Sequence, residues 1–74
     1  MGKHARRVIV IRCNATNTGV QPPFIYKAGK YEYPFPRDDQ KQTLVALAVA
    51  AYREDNDIPD TVIVTTTEST IQNR

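Results

Sequence analysis

Four consecutive β-branched residues near the N-terminus, Val8 to Ile11 (VIVI), constrain the fold of this chain more than any other feature. β-Branched side chains lose rotamer freedom in a helix and pack well on the pleated surface of a strand. A run that is apolar at every position, without alternation, is typical of a strand that is covered on both faces. The sequence therefore predicts a central strand from Arg6 to about Asn14.

The segment 14–23 (NATNTGVQPP) is rich in turn-forming residues and predicts a mobile loop. An aromatic segment follows, Phe24 to Phe35 (FIYKAGKYEYPF), which holds five of the six aromatic residues of the chain. We predict that this aromatic segment is a hairpin. Pro34 and Pro36 lack the N–H that a central strand needs, so the second strand of the hairpin should lie at an edge of the sheet or end here.

Two turns are compatible with this hairpin, and they place the rings differently. A two-residue turn at Ala28-Gly29 would gather four rings on one face, but it requires positive φ at Ala28 and sets Lys27 opposite Lys30. A three-residue loop, Lys27–Gly29, requires positive φ only at the glycine. We therefore expect the three-residue loop, with Tyr26 opposite Lys30. In that register the inner face holds Ile25, Tyr31, Tyr33 and Phe35, and the outer face holds Phe24, Tyr26, Lys30 and Glu32.

A helix and a last strand complete the chain. Asp39 followed by Gln42 is a capping-box pattern, Leu44 to Tyr52 is apolar throughout, and Pro59 predicts a helix end near Asn56. Residues 61–68 (TVIVTTTE) predict a strand, and residues 69–74 a frayed tail. The prediction is one α+β domain, residues 1–74, with a basic tail at 1–5. It has a small, mainly antiparallel sheet of about four strands (β-ββ-α-β) and one helix packed on one face.

The predicted helix has a wide apolar arc. Leu44, Leu47, Ala48 and Ala51 form its centre, and three flanking side chains widen the arc to roughly 200°, beyond the ~100° that covering a sheet requires. Two accounts remain open. Either the sheet and its loops cover the helix deeply, or the flank contacts a second copy in a homodimer. The residues of this predicted dimer interface are Val45, Val49 and Tyr52.

The charge is divided along the chain, although the formal net charge is only +2. Residues 1–37 carry seven cations and one acid, whereas residues 38–74 carry three cations and seven acids. A basic excess usually dominates a nucleic-acid-binding protein, so this division favours a molecule with one basic and one acidic region.

The sequence indicates no catalysis, cofactor or metal site. His4 and Cys13 lie nine residues apart on one extended segment, so they are a poor base and nucleophile pair. The acidic residues of segment 54–60 lack the glycine and the terminal glutamate of an EF-hand loop. With a single cysteine, no secretory signal and no apolar run of about 18 residues, we expect a cytoplasmic protein without a membrane partner.

The outer face of the predicted hairpin is the candidate binding surface. Rings interleaved with cations stack single-stranded bases and hold phosphates, and the same mixture forms hot spots in protein interfaces. A third interpretation, that these rings pack beneath the loop at 14–23, remains open. The candidate partner-binding residues are Phe24, Tyr26, Lys27, Lys30, Arg6, Arg7 and Arg12.

The order of elements resembles that of some very small phage proteins, anti-CRISPR inhibitors among them. The resemblance rests on an apolar first strand, a glycine-turned hairpin, one alanine-rich helix (TLVALAVAAY) and a last strand (TVIVTTT). It includes no shared motif, so it assigns no functional residue. It implies a compact, non-enzymatic inhibitor that occupies a surface of a host defence complex.

Together these features predict a small non-enzymatic protein that binds another protein or a nucleoprotein complex. The alternative is a small nucleic-acid-binding module that uses the exposed rings and the basic N-terminal half of the chain.

Overall fold

Four β-strands and one α-helix make up residues 6–73, the part of the chain described by a computed structural model. The helix packs on one face of a single antiparallel sheet, which confirms the predicted α+β class and the order β-ββ-α-β. The elements are β1 (Arg6–Asn17), β2 (Phe24–Ile25), β3 (Gly29–Pro34), a 3₁₀ turn (Asp38–Gln40), α1 (Lys41–Asn56) and β4 (Val64–Asn73).

β1 is the central strand, as the VIVI run predicts. It pairs antiparallel with β3 and with β4, so that Ile9 lies opposite both Tyr33 and Thr70. Ile9, Val10 and Ile11 are all buried, which explains why the run shows no alternation. β3 pairs with β1 alone among the described strands, so Pro34 lies on an edge strand as expected.

The aromatic segment does not form a hairpin, so the predicted turn at Lys27–Gly29 is wrong. β2 and β3 instead follow one another along β1, with Phe24 opposite Asn17 and Gly29 opposite Cys13. The register changes by one residue between the two strands. Lys27 and Ala28 therefore form a bulge in one long interrupted strand.

Both halves of this interrupted strand lie on the same edge of β1. The carbonyls of Arg7 and Ala15 accept hydrogen bonds from the backbone N–H groups of Phe35 and Tyr26, respectively. Carbonyls an even number of residues apart in a regular strand point to the same side. The chain reversal therefore lies between Asn17 and Phe24, and the hairpin consists of β1 with β2 and β3.

This register corrects the predicted facing of the rings. Residues opposite one another in an antiparallel pair share a face, and Phe24, Tyr31 and Tyr33 oppose odd-numbered residues of β1. Tyr26 is adjacent to Ala15, also odd-numbered, and packs against the core. All four rings thus lie on the face of the sheet that α1 covers, here called the helix face.

The opposite face, which carries Val8, Val10 and Arg12, is here called the open face.

Gly29 is needed for a close contact with the helix. No glycine among residues 6–73 has positive φ, so Gly29 is not a left-handed turn residue. A Cβ atom at position 29 would lie 2.7 Å from Cδ1 of Tyr52 and 3.0 Å from Cε2 of Tyr31. The Tyr52 hydroxyl donates a hydrogen bond to the Lys27 carbonyl at 2.7 Å. The fully buried Tyr52 ring therefore joins α1 to the bulge.

The helix is rotated relative to the predicted orientation. Ala48 and Tyr52 are buried, whereas Leu47, predicted to be central, is 51% exposed. The N-terminus also differs, because α1 follows a 3₁₀ turn and Asp39 does not cap it. The Asp39 carboxylate instead pairs with Arg37 at 3.1 Å. The core residues are Ile9, Ile11, Cys13, Ala15, Phe35, Ala48, Tyr52, Ile58 and Val62.

The helix ends at a left-handed residue that is not glycine. Asp57 has φ 56° and ψ 48°, and the next backbone N–H, that of Ile58, donates to the Arg53 carbonyl at 2.9 Å. Ile58 is buried, as is typical of the residue that follows such a cap. The Arg53 guanidinium donates to the carbonyls of Pro59 and Val62, both at 2.8 Å, and so holds the connection to β4.

Two strands are longer than predicted. β4 continues to Asn73, so residues 69–73 of the predicted frayed tail pair with Arg6–Val10. β1 continues to Asn17, so residues 14–17 of the predicted loop are also strand. The predicted basic tail 1–5, and residue 74, lie outside the described residues.

Replacing Asp57 by glycine should stabilise the fold. Glycine adopts left-handed φ without a steric penalty, and the change removes a negative charge from the negative pole of the helix. We expect Asp57→Gly to raise the free energy of unfolding by about 0.5–1 kcal/mol, measured by urea denaturation.

Asp57→Asn separates the two contributions, since it removes the charge and keeps a side chain that tolerates left-handed φ. Asp60→Gly is the matched control, because Asp60 does not have positive φ and glycine there only adds freedom to the unfolded chain. Equal loss of stability in Asp57→Gly and Asp60→Gly would contradict the role assigned to the cap.

Candidate partner-binding surface

Large apolar side chains are exposed where β1 ends and β4 begins. Ile25 is 75% exposed, Ile63 76% and Phe24 55%, and Val20 in the adjoining loop is also exposed. Scattered exposed apolar residues are normal on a protein surface, whereas a cluster indicates a contact site. We call this cluster the apolar end; its residues are Val20, Phe24, Ile25 and Ile63.

Two of these side chains lie on the open face. Ile25 lies opposite Thr16 on β1. Ile63 immediately precedes β4, between Val62 and Val64, which both pack against the core, so its exposed side chain points away from the helix face.

Phe24 lies on the other side of the sheet at the same end. Its ring contacts Tyr26 edge-to-face, with ring centroids 4.8 Å apart and planes inclined at 82°. Tyr26 in turn packs against the buried core. An exposed ring supported by a fixed neighbour loses little conformational freedom on binding, as is typical of interface anchors.

Arg7, one of the predicted binding cations, has a structural role instead. Its Nε donates to the Phe35 carbonyl at 2.9 Å, and its Nη2 lies 2.9 Å from an Asp38 carboxylate oxygen. The guanidinium carbon is 4.6 Å from the centre of the Phe35 ring. Arg7 thereby ties β1 to the segment that enters α1.

The other predicted cations do not interleave with the rings. Arg12 and Lys30 lie opposite each other on the open face, and Lys30 Nζ is 3.7 Å from a Glu32 carboxylate oxygen. Lys27 is exposed at the bulge, and Arg6 begins β1. Because the rings lie on the helix face, the surface of alternating rings and cations expected from the sequence is not formed.

The predicted dimer interface on the helix is largely used within the chain. Tyr52 is fully buried in the core, so its side chain is not available to a second copy. Val45 packs against the core and Val49 is half-buried. The wide apolar arc is therefore largely accounted for by the sheet and loops that cover it, which was the first of the two accounts.

The predicted reactive groups are placed as follows. Cys13 is buried against the helix, and desolvation raises the pKa of its thiol. His4 lies outside the described residues. Within residues 6–73 no three His, Cys, Asp or Glu side chains are grouped as metal ligands would be. Across the same residues no helix has the length and apolarity needed to cross a membrane.

The pKa of Tyr31 is raised well above its ordinary value. Desolvation, followed by a hydrogen bond from the Tyr31 hydroxyl to Asp55 at 2.7 Å, raises the pKa of Tyr31 to about 12. The hydroxyl joins β3 to the last turn of α1, and the neutral donor form maintains that contact.

No protein-family model matches this chain, and neither a curated protein nor a solved structure matches it. The geometry of the chain itself is therefore the basis for the function proposed below.

The Tyr31–Asp55 contact predicts a specific dependence on pH. Because the pKa of Tyr31 in the folded chain lies above its ordinary value of 10.0, the contact contributes stability in full below about pH 10 and loses it as the pH rises towards 12. Burial also raises the pKa of Tyr52, so in an ultraviolet titration of the phenols we expect the transition near pH 12 to lose the amplitude of one phenol in Tyr31→Phe.

Asp55→Asn should lower that transition without returning it to 10, because desolvation is the larger cause of the shift. Tyr33→Phe is the control, because it removes a phenolic hydroxyl of the same strand that does not contact Asp55. A transition near pH 12 of unchanged amplitude in Tyr31→Phe would contradict the assignment.

Proposed function

We propose that this chain is a small non-enzymatic binding protein that acts by occupying a surface of a partner protein or complex. The observation that supports this most is the apolar end, where Phe24, Ile25 and Ile63 are each more than half exposed. The free energy gained by desolvating such side chains is the main driving force of protein association.

The composition of the apolar end favours a protein partner. Protein interfaces have an apolar, often aromatic centre, whereas nucleic-acid interfaces require cations that follow a phosphate backbone. Arg12 and Lys30 lie several residues along the sheet from Ile25, and Phe24 is on the opposite face. The apolar end reaches both faces of the sheet but includes no cation, so a nucleic acid that stacked on Phe24 would have to continue around the end of the sheet to reach these two cations.

The arrangement also explains how so small a chain could act. An inhibitor needs no catalytic group, only a rigid surface that covers the functional surface of a larger partner. Inhibition of a host defence complex, the role implied by the resemblance to small phage proteins, is one form of this activity.

Photo-crosslinking tests the proposal. A benzophenone amino acid at position 25, in the full-length chain within the cell that produces it, should give one dominant adduct that protease removes and nuclease does not. The same group at position 47 is the control, because Leu47 is about half exposed on the helix, away from the apolar end.

In the chain without the crosslinker, Ile25→Glu should reduce co-purification of the protein found in that adduct at least tenfold, since it places a charge where the partner is apolar. Leu47→Glu should leave the co-purification unchanged. Equal adducts at positions 25 and 47, or an adduct that nuclease removes, would overturn the proposal; the second outcome would indicate a nucleic-acid partner.

A further inference from the structure

The two edges of the sheet differ in how they are protected. β3 carries Pro34, the exposed cation Lys30 and the adjoining bulge, which are common devices against pairing with another strand. β4 runs for ten residues, VTTTESTIQN, without proline, lysine or arginine. Within residues 6–73 it pairs with β1 alone. Its outer edge is thus long, and Glu68 is the one charged residue on β4.

Alternate residues of β4 present their backbone groups to this outer edge. The odd-numbered carbonyls of β1, such as those of Arg7 and Ala15, point towards β2 and β3, so the even-numbered ones point towards β4. Even-numbered residues of β1 lie opposite odd-numbered residues of β4. The outward N–H and C=O groups therefore belong to the even-numbered residues Val64, Thr66, Glu68, Thr70 and Gln72.

Symmetry restricts how this edge could pair with a second copy. In a two-fold antiparallel pair, the residue at the axis lies opposite the same residue of the second copy. Residues that oppose one another share a face of the sheet. A pair centred on Glu68 would set two carboxylates directly opposite each other. A pair centred on Thr67 avoids this, because Glu68 then lies opposite the hydroxyl-bearing Thr66.

The register centred on Thr67 also covers exposed apolar surface. Ile71, 48% exposed, lies on the open face because it opposes Val8. Continuing β4 by one residue places Ile63 on the same face. In this register Ile71 lies opposite Ile63 of the partner subunit, and the symmetry repeats the contact. The dimer would thus bury two pairs of isoleucines, each made of one Ile71 and one Ile63.

We propose that β4 pairs antiparallel with β4 of a second copy of this chain, with the two-fold axis at Thr67. The sheets of the two copies join into one continuous sheet with both helices on the same face. Backbone hydrogen bonds form between Val64 and Thr70, and between Thr66 and Glu68, in both directions across the axis.

A second copy fits this edge because the edge is complementary to itself. Each Ile71 meets an Ile63, and each Glu68 lies opposite Thr66 rather than another carboxylate; the Thr66 hydroxyl donates to Glu68 of its own chain at 2.9 Å. The pairing uses backbone groups that the partner-binding proposal leaves free. It lies on β4, whereas Phe24 and Ile25 belong to β2 at the other edge. Ile63 takes part in both surfaces, so the tests use positions 25 and 71, which do not, and each proposal can fail alone.

Light scattering across a dilution series of the full chain, from ~100 μM to ~1 μM, tests the association. We expect twice the 8.4 kDa chain mass at the upper end, falling towards the chain mass on dilution. Thr70→Pro removes an N–H that points away from β1, so it should leave the fold intact and abolish the dimer. Ile71→Lys should do the same, and Leu47→Lys, its matched control, should not.

Cysteine substitution tests the register. Opposed residues in a non-hydrogen-bonded antiparallel pair have Cα atoms ~4.5 Å apart, within the range of a disulfide. Thr67→Cys should form an intermolecular disulfide under mild oxidation, whereas Ser69→Cys, four residues from its symmetry copy along the strand, should not. The native Cys13 is buried and does not interfere.

A chain that keeps its monomer mass at ~100 μM would overturn the proposal. So would a dimer that persists in both Thr70→Pro and Ile71→Lys, since its interface would lie elsewhere. A disulfide at Ser69→Cys but not at Thr67→Cys would overturn the stated register.

Discussion

The contact of the Tyr52 ring with Gly29 determines how the helix lies on the sheet. A side chain at position 29 would occupy the space of the ring, since a Cβ there would lie 2.7 Å from Cδ1 of Tyr52. The hydroxyl of the same ring satisfies the Lys27 carbonyl, which the bulge leaves without a ladder partner. One side chain thus fills the core and satisfies a backbone group exposed by an irregularity of the strand. The orientation of α1 follows, with Ala48 inward and Leu47 outward.

The bulge at Lys27 and Ala28 also determines what the surface can bind. It keeps the aromatic segment on one edge of β1, with its rings on the helix face and Arg12 and Lys30 on the open face. The rings near the helix become core, whereas Phe24, farther along β1, remains exposed. The surface available to a partner is therefore an apolar end rather than a row of alternating rings and cations. This separation of rings from cations is why we favour a protein partner.

The sequence predicts those features that depend on composition within one element. The VIVI run indicates a central strand because it is apolar on both faces, and the apolar run from Leu44 to Tyr52 indicates the helix. Local turn preferences predict the wrong hairpin because a glycine in a strand pattern has a second use. An isolated glycine in a strand pattern also marks a bulge or a close approach, and Gly29 lies next to a bulge and beneath a ring.

The helix orientation and the binding surface were harder to predict. An apolar arc of roughly 200° includes Leu47 and Tyr52 alike, so periodicity alone does not determine which lies inward. That choice depends on the space above Gly29, which no pattern within the helix reveals. Phe24 was correctly predicted to be exposed, but from a register that proved wrong. Ile25 and Ile63 were missed, because their exposure follows from where the helix and the strands end.

The most direct test of the account is a double-mutant cycle between Gly29→Ala and Tyr52→Leu, with the free energy of unfolding measured by urea denaturation. With Tyr52 present, we expect Gly29→Ala to destabilise the fold by about 1–3 kcal/mol, because the added methyl group overpacks the contact. With leucine at position 52 the ring is absent, and the same change should be neutral or stabilising by about 0.5 kcal/mol, as alanine is in an unobstructed strand. An equal effect of Gly29→Ala in both backgrounds would contradict the account.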